Sequence, residues 1–135
     1  MPKNKQIAAL PILRTDEGKL RVLMITSRDT GRWVIPKGWP MKGKSSPQAA
    51  AIEAMEEAGV TGRIKSKPIG KYTYKKRLDN GKELPLTVDV FPLWIQSLSS
   101  KWKEKSERTR KWFSPQKAAK NVDEPELSKI LKSLN

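Results

Sequence analysis

Glu53, Glu56 and Glu57 are the side chains of this sequence best suited to chemistry. Residues three and four apart are neighbours on a helix surface, so all three carboxylates can converge on a point beside one. Like charges at this spacing disfavour an exposed helix by about 0.2–0.5 kcal/mol per pair unless a cation compensates. Carboxylate oxygens suit magnesium or manganese, and magnesium usually completes its shell with water and substrate phosphate. The same spacing also occurs on solvated acidic faces beside lysines, so the surroundings must decide. Cysteine and histidine are both absent, which removes disulfides, thiolate and imidazole ligands, and every Ser-His or Cys-His mechanism. Any metal must sit on oxygen.

The element that positions these glutamates is a helix from about Pro47 to Ala58. Ser46 can cap its first turn, Pro47 suits the first helical position, and Gly59 can take the left-handed stop. At 100° per residue, Ala51, Ile52, Ala54, Met55 and Ala58 share one broad side, expected to pack, and the glutamates share the other. Upstream, Lys5–Leu13 and Lys19–Ser27 read as a hairpin around Thr15-Asp16-Glu17-Gly18, and Arg32–Ile35 as a third short strand. Pro36-Lys37-Gly38-Trp39-Pro40 then interrupts regular structure as a loop. Downstream, Arg63–Arg77 and Leu84–Leu98 contain strand-like stretches joined by a turn at Asn80-Gly81. Ser99–Thr109 is polar and basic, Arg110–Phe113 reads as a last strand, and Pro115–Val122 and Pro125–Leu134 read as helices. Strands on both sides of the central helix imply an α/β fold, a mixed sheet packed between helices.

Length and composition set the outer bounds. A chain of 135 residues with 36% hydrophobic residues suits one domain, 1–135. The sequence has no apolar run long enough to cross a bilayer, and residues 1–6 lack a secretory stretch. A cytoplasmic protein without a membrane partner is expected. The net charge of +14 draws anions, whether nucleic acid, phosphate-rich small molecules or a plain solubilising ion cloud. No recognition helix or RNA-binding motif accompanies it, so nucleic acid is the less favoured partner.

The segment Gly38 to Val60 resembles the Nudix box, in which a glycine opens a loop, a helix presents one glutamate and then a pair, and a glycine plus an aliphatic residue closes the motif. Gly38, Glu53, Glu56, Glu57, Gly59 and Val60 all match at the family spacing. The resemblance implies a Nudix-type α/β/α sandwich and a divalent-metal hydrolase of phosphoanhydride bonds. It further implies Mg2+ (or Mn2+) held by Glu53 and Glu57 near Gly38, with Glu56 as a further ligand or the base. Asp89, Glu104 and Glu107 are candidate bases outside the box. The Arg32–Gly38 stretch and Arg110-Lys111-Trp112-Phe113 are similar to the branch acting on diphosphoinositol polyphosphates and dinucleoside polyphosphates. A polyphosphorylated small molecule is then the expected substrate, met by Arg32, Lys37, Trp39, Lys42 and Arg110, with Trp33 and Trp112 in the core. An RNA 5′-end-processing enzyme and a non-catalytic Nudix sensor are the alternatives.

Two positions depart from the family pattern. Lys44 stands where a glutamate is usual and Ile52 where an arginine is usual, and in the family those two residues commonly pair. Losing both avoids leaving one charge unpartnered, and Ile52 is expected to extend the packed face. The orientation of Glu53, which the arginine often helps to hold, is what the departure puts at issue. The double substitution Lys44→Glu with Ile52→Arg is expected to keep or raise hydrolytic activity. A large loss in a folded double variant, measured by turnover, would show that the pair is incompatible with this chain.

Overall fold

The runs KQIAALPILR and LRVLMIT are apolar at most positions on both strand faces, which suits only a sheet covered on both sides. The computed structural model, which describes residues 4–134, places them in such a sheet. β1 (Lys5–Arg14) and β2 (Leu20–Thr26) form the expected antiparallel hairpin, with Ile12 opposite Val22. β3 (Trp33–Val34) and β8 (Arg110–Phe113) both pair with β2. β1 runs parallel to the long β7 (Glu83–Leu98), from Lys5 opposite Thr87 to Ile12 opposite Trp94. β5 (Val60–Ile64) and β6 (Gly70–Arg77) pair antiparallel with successive halves of β7. At the β6–β7 turn Gly81 takes φ 82°, and the Asn80 side chain accepts from the Lys82 amide at 3.0 Å.

Alternation along the central strands sends side chains into two layers. Leu10, Ile12, Val22, Met24 and Val88 meet Ala118 of α2 (Pro115–Asn121) and Leu127 and Leu131 of α3 (Pro125–Lys132). Ile7, Ala9, Leu23, Ile25, Phe91 and Leu93 meet Ala49, Ala50, Ala54 and Ala58 of α1 (Ser46–Ala58). The result is an α/β/α sandwich in which each buried Leu or Ile contributes about 1.5–3 kcal/mol. The ends of the expected 1–135 domain, residues 1–3 and 135, lie outside the described residues.

Four local expectations are corrected. The Pro36–Pro40 loop contains a short strand, β4 (Lys37–Gly38), pairing antiparallel with β1 at Ile7 and Ala8. Pro36 O accepts from the Ala9 amide at 3.0 Å beside this bridge, and the Lys37 amide points away from β1 to Glu57 Oε1 at 3.3 Å. The extended stretch expected from Arg63 begins at Val60, directly after the helix, and is interrupted between β5 and β6. The cap of α1 is Ser45, not Ser46. Gln48 three residues on completes a reciprocal box (Gln48 N to Ser45 Oγ 3.3 Å, Ser45 N to Gln48 Oε1 2.9 Å), worth about 1 kcal/mol. Finally, α1 is turned relative to the expected packed face: Ala49, Ala50, Ala54, Glu57 and Ala58 are buried, while Ile52 is half-buried and Met55 exposed. The helix lies on the sheet through its smallest side chains, and that close approach leaves no room for the bulky pair.

At the far edge, α3 is tied to β6 by Glu126, whose Oε1 accepts from the Thr73 amide at 2.8 Å and the Thr73 hydroxyl at 2.9 Å. These bonds lower the Glu126 pKa from its ordinary value of 4.5. A depressed folded-state pKa adds stability above the unfolded value that disappears as pH falls through the folded one. Glu126→Gln is therefore expected to lower Tm at pH 7, with the gap to wild type closing in thermal melts taken well below pH 4.5.

Candidate active site

Turning α1 onto its alanine face carries Glu57 inward with it. Glu57 is 6% exposed, and its carboxyl accepts from the Lys37 backbone amide at 3.3 Å and lies beside that of Glu53. Burial, then the bond to Glu53, pushes the Glu57 carboxyl up to about 8, while the guanidinium of Arg108 pulls the other way. Glu53 is raised too, mainly by burial. Carboxyl groups this close hold either a shared proton or a cation between them. Glu56 is turned aside toward Lys103, 3.9 Å from its Nζ. Among the described residues, then, no three carboxylates gather on one point. The helix explains the division: Glu57 lies one full turn beyond Glu53, whereas Glu56 lies 100° around from Glu57.

Gly38 faces the pair from β4. A Cβ built on Gly38 would stand 2.2 Å from Glu53 Oε2 and 2.4 Å from its Cδ, so the Glu53 carboxylate occupies space that only glycine leaves open. The chain segment after β7 closes the other end of α1. A helix leaves its last four carbonyls without intrahelical donors. Here Glu56 O accepts from the Glu104 amide at 3.0 Å and Glu57 O from the Trp102 indole at 3.1 Å. Ala58 O accepts from Arg110 Nη1 at 2.9 Å, and Gly59 O from the Ser99 amide at 2.8 Å. Gly59 itself takes φ 67°, and a Cβ there would strike the Trp102 ring at 2.6 Å. The end of the helix that carries Glu56 and Glu57 is thereby held by residues 40 to 52 positions further along the chain.

The expected substrate contacts divide into two groups. Arg110 is part of the helix cap, bonded also to Ser99 O at 2.8 Å and stacked 4.0 Å from the Trp102 ring centroid. Arg32 pairs with Glu124 at 2.8 Å and Asp123 at 3.8 Å, balancing the buried Glu124 carboxylate. Both guanidiniums thus answer protein groups. Lys37 is different: its ammonium lies 5.0 Å from the Tyr74 ring centroid, has no carboxylate within salt-bridge distance among the described residues, and is lowered in pKa by burial. Trp39 is exposed with Lys76 Nζ 5.7 Å from its ring, and Lys42 is exposed in the following loop. Asp89 pairs with Lys5 at 2.9 Å and Glu107 with Arg28 at 3.1 Å. Trp33 packs edge-on against Phe113 at 5.0 Å and Trp112 against the α1 layer, as expected of core residues. Arg108 and Trp102 were not legible as site residues. Their segment reads only as polar and basic, and nothing local indicates that it folds back over α1.

The residues present fit a divalent cation. The pair is all oxygen, partly withdrawn from water, and faces a cradle kept open by Gly38. Magnesium is commonly bound through one or two carboxylates plus phosphate and water, so it needs no three-carboxylate cage.

Sheet, flanking helices and a carboxylate-bearing helix set against a glycine strand together define an α/β/α domain of the class anticipated from the sequence. The chain belongs to the Nudix family of hydrolases, since residues 4–134 match the family described as NUDIX domain. It is similar to Nudix hydrolase 16, mitochondrial, of Arabidopsis thaliana, 31% identical over 121 residues covering 87% of this chain and 67% of that protein. It is also similar to diphosphoinositol polyphosphate phosphohydrolase 3-alpha of Mus musculus, 29% identical over 86% of this chain and 68% of that one. The chain spans about half the length of several of these relatives, 53% of Arabidopsis Nudix hydrolase 13 and 48% of Nudix hydrolase 21. Among solved structures, a C. elegans Ap4A hydrolase superposes with TM-score 0.64 at 24% identity, covering 95% of this chain and 92% of that one. The E. coli dihydroneopterin triphosphate pyrophosphohydrolase superposes with TM-score 0.73 at 18% identity, covering 98% and 94%. At these identities the structural likeness speaks to the fold. Among the described residues no helix is long and apolar enough to cross a membrane.

Gly38→Ala isolates the cradle. Because φ at Gly38 is not positive, alanine is conformationally acceptable there, and the loss of unfolded-state freedom offsets part of the crowding. Tm is expected to hold within a few degrees while hydrolytic turnover falls, by about 100-fold for a displacement of about 1 Å at the reacting centre. Thermal melts and steady-state kinetics on the same preparation check this.

Proposed function

We propose that this chain hydrolyses a diphosphate linkage in a polyphosphorylated small molecule, a dinucleoside polyphosphate or diphosphoinositol polyphosphate, with Mg2+ (or Mn2+) at the Glu53–Glu57 pair. The observation that carries this reading is the pair itself, the Glu53 carboxylate lying in the space that Gly38 leaves open and the buried Glu57 carboxyl next to it one helical turn on. When bound, the cation neutralises charge on phosphate oxygens and lowers the pKa of a bound water. The chain's own groups supply the rest. Glu53 and Glu57 would hold the cation, and Gly38 leaves the room in which the Glu53 carboxylate lies. Glu56, outside the pair, is left to accept the proton of the attacking water as its oxygen bonds to phosphorus and the bridging P–O bond breaks. Lys37, with no carboxylate partner, suits a substrate phosphate, and Trp39 and Lys42 suit the part of the substrate outside the cleaved linkage.

The family membership and the names of relatives support the substrate class, one of them acting on diphosphoinositol polyphosphates and one structural neighbour on Ap4A by their names. Sequence charge supports it too, since +14 around an acidic centre suits a polyanion bearing more phosphate than one diphosphate. Arg32 and Arg110 are not assigned substrate contacts, because each already meets protein acceptors.

Purified protein with Mg2+ is expected to release phosphate products from dinucleoside polyphosphates or diphosphoinositol polyphosphates in a panel that also contains nucleoside diphosphate sugars and capped RNA. Glu57→Gln, nearly isosteric, should fold normally by circular dichroism and lose turnover by about 100- to 1,000-fold. It should also lose the Mg2+-induced rise in Tm that a native-state ligand confers. Full activity in folded Glu57→Gln would sink the assignment.

A further inference from the structure

Position 52 cannot steady the carboxylate pair in this chain. Ile52 lies on the outer side of α1, where it lines a shallow apolar depression with Ala51, Met55, Thr61, Gly62 and Leu93. A cation does reach the pair, from another part of the sequence. Arg108 lies just before β8, and its side chain is 10% exposed. Its guanidinium uses each of its three nitrogens on a different element. Nε donates to Glu104 Oε1 at 2.7 Å, Nη1 donates to Thr26 O at the end of β2 at 3.1 Å, and Nη2 stands 3.6 Å from Glu57 Oε1. Glu104 is in turn fixed to α1 through its own amide, which donates to Glu56 O. The planar fork therefore spans sheet, helix and the segment after β7 at once, an arrangement that a point charge cannot reproduce.

We infer that Arg108 is the positioning residue of this site: clamped between Thr26 and Glu104, it holds the Glu57 carboxylate in line with Glu53, in place of an arginine on the helix itself. This rests on the reading of Glu53 and Glu57 as the cation-holding pair. A direct substrate role fits poorly, because a guanidinium nine-tenths buried with all three nitrogens facing protein oxygens has no free edge for a phosphate. The neighbouring cation Arg28 contributes at the rim, exposed and pairing with Glu107 at 3.1 Å and Glu104 at 4.0 Å. Outer contacts that orient metal-binding carboxylates typically change affinity or activity by about 10- to 100-fold when removed.

The test compares wild type, Arg108→Met and Arg108→Lys by Mg2+-induced thermal shift without substrate, and by kinetics on a dinucleoside tetraphosphate. Arg108→Met is expected to lower kcat by about 10- to 100-fold with KM little changed, and to raise the Mg2+ concentration that half-saturates the thermal shift. Arg108→Lys, which keeps the charge but not the fork, should fall between the two. A raised KM with unchanged kcat would make Arg108 a substrate contact and overturn the inference. Wild-type kcat and Mg2+ half-saturation in folded Arg108→Met would do the same. Should Arg108→Met fail to fold, wild-type values in Arg108→Lys overturn it. Wild-type protein lacking both Mg2+-dependent turnover and the Mg2+ thermal shift removes the basis of the proposed function as well, whereas both present with Arg108 indifferent removes this inference alone.

Discussion

Seating α1 on the sheet through alanines places a carboxyl group, Glu57, in the same plane as Ala54 and Ala58, and the remainder of the site follows from accommodating it. A buried carboxylate left alone would cost several kcal/mol. Two neighbours relieve part of that cost and one adds to it. The Lys37 amide donates to it and Arg108 brings positive charge within 3.6 Å, whereas the Glu53 carboxyl beside it pushes its pKa up. The Lys37 contact depends on the short β4 bridge to β1, which fixes Lys37 and Gly38 against the helix. The close helix–sheet contact and the electrostatics of the pair are therefore one feature, set by the small size of the residues at 50, 54 and 58.

The 28 basic residues are not equivalent, and the structure sorts them by chemistry. Arg32, Arg108 and Arg110 are drawn inward, where a planar fork can satisfy several carbonyl or carboxylate oxygens at fixed positions. Lys37, Lys42 and Lys76 remain without carboxylate partners among the described residues, near Tyr74 or Trp39 or in the loop between them. A hydrated, mobile ammonium suits an anion that comes and goes, and a guanidinium suits a permanent joint. Basic charge in this protein thus divides into guanidiniums joined to protein oxygens, Arg108 and Arg110 at the end of α1 and Arg32 at the start of α3, and ammoniums without carboxylate partners, partly buried at Lys37 and exposed at Lys42.

Much of the fold was legible because local rules and tertiary demands agree. The β1–β2 hairpin, the Asn80-Gly81 turn, Gly59 as helix stop and the two prolines that open α2 and α3 all occur where composition places them. The errors share a cause. Ser46 suits the cap by its place before Pro47, but the reciprocal bond with Gln48 selects Ser45. The 100° periodicity groups Ile52 and Met55 with Ala51, Ala54 and Ala58 on one side, yet the helix meets the sheet through Ala49, Ala50, Ala54 and Ala58. Hydrophobic pattern reports which residues prefer burial, and it does not report how close two backbones will come.

The absence of cysteine and histidine restricts any metal ligands to oxygen from sequence alone, and the glutamate spacing and flanking glycines mark the helix that would carry them, because these depend on residue type and on separations along one helix. Which carboxylates meet depends on the rotation of that helix on the sheet, and the tertiary structure draws Glu53 to Glu57 and leaves Glu56 with Lys103. The helix's last carbonyls are satisfied by Trp102, Glu104 and Arg110, and the pair is met by Arg108. These contacts join residues about 45 to 52 apart in the chain, and no local periodicity encodes them. They arise only when β7 and β8 return the chain across the end of α1.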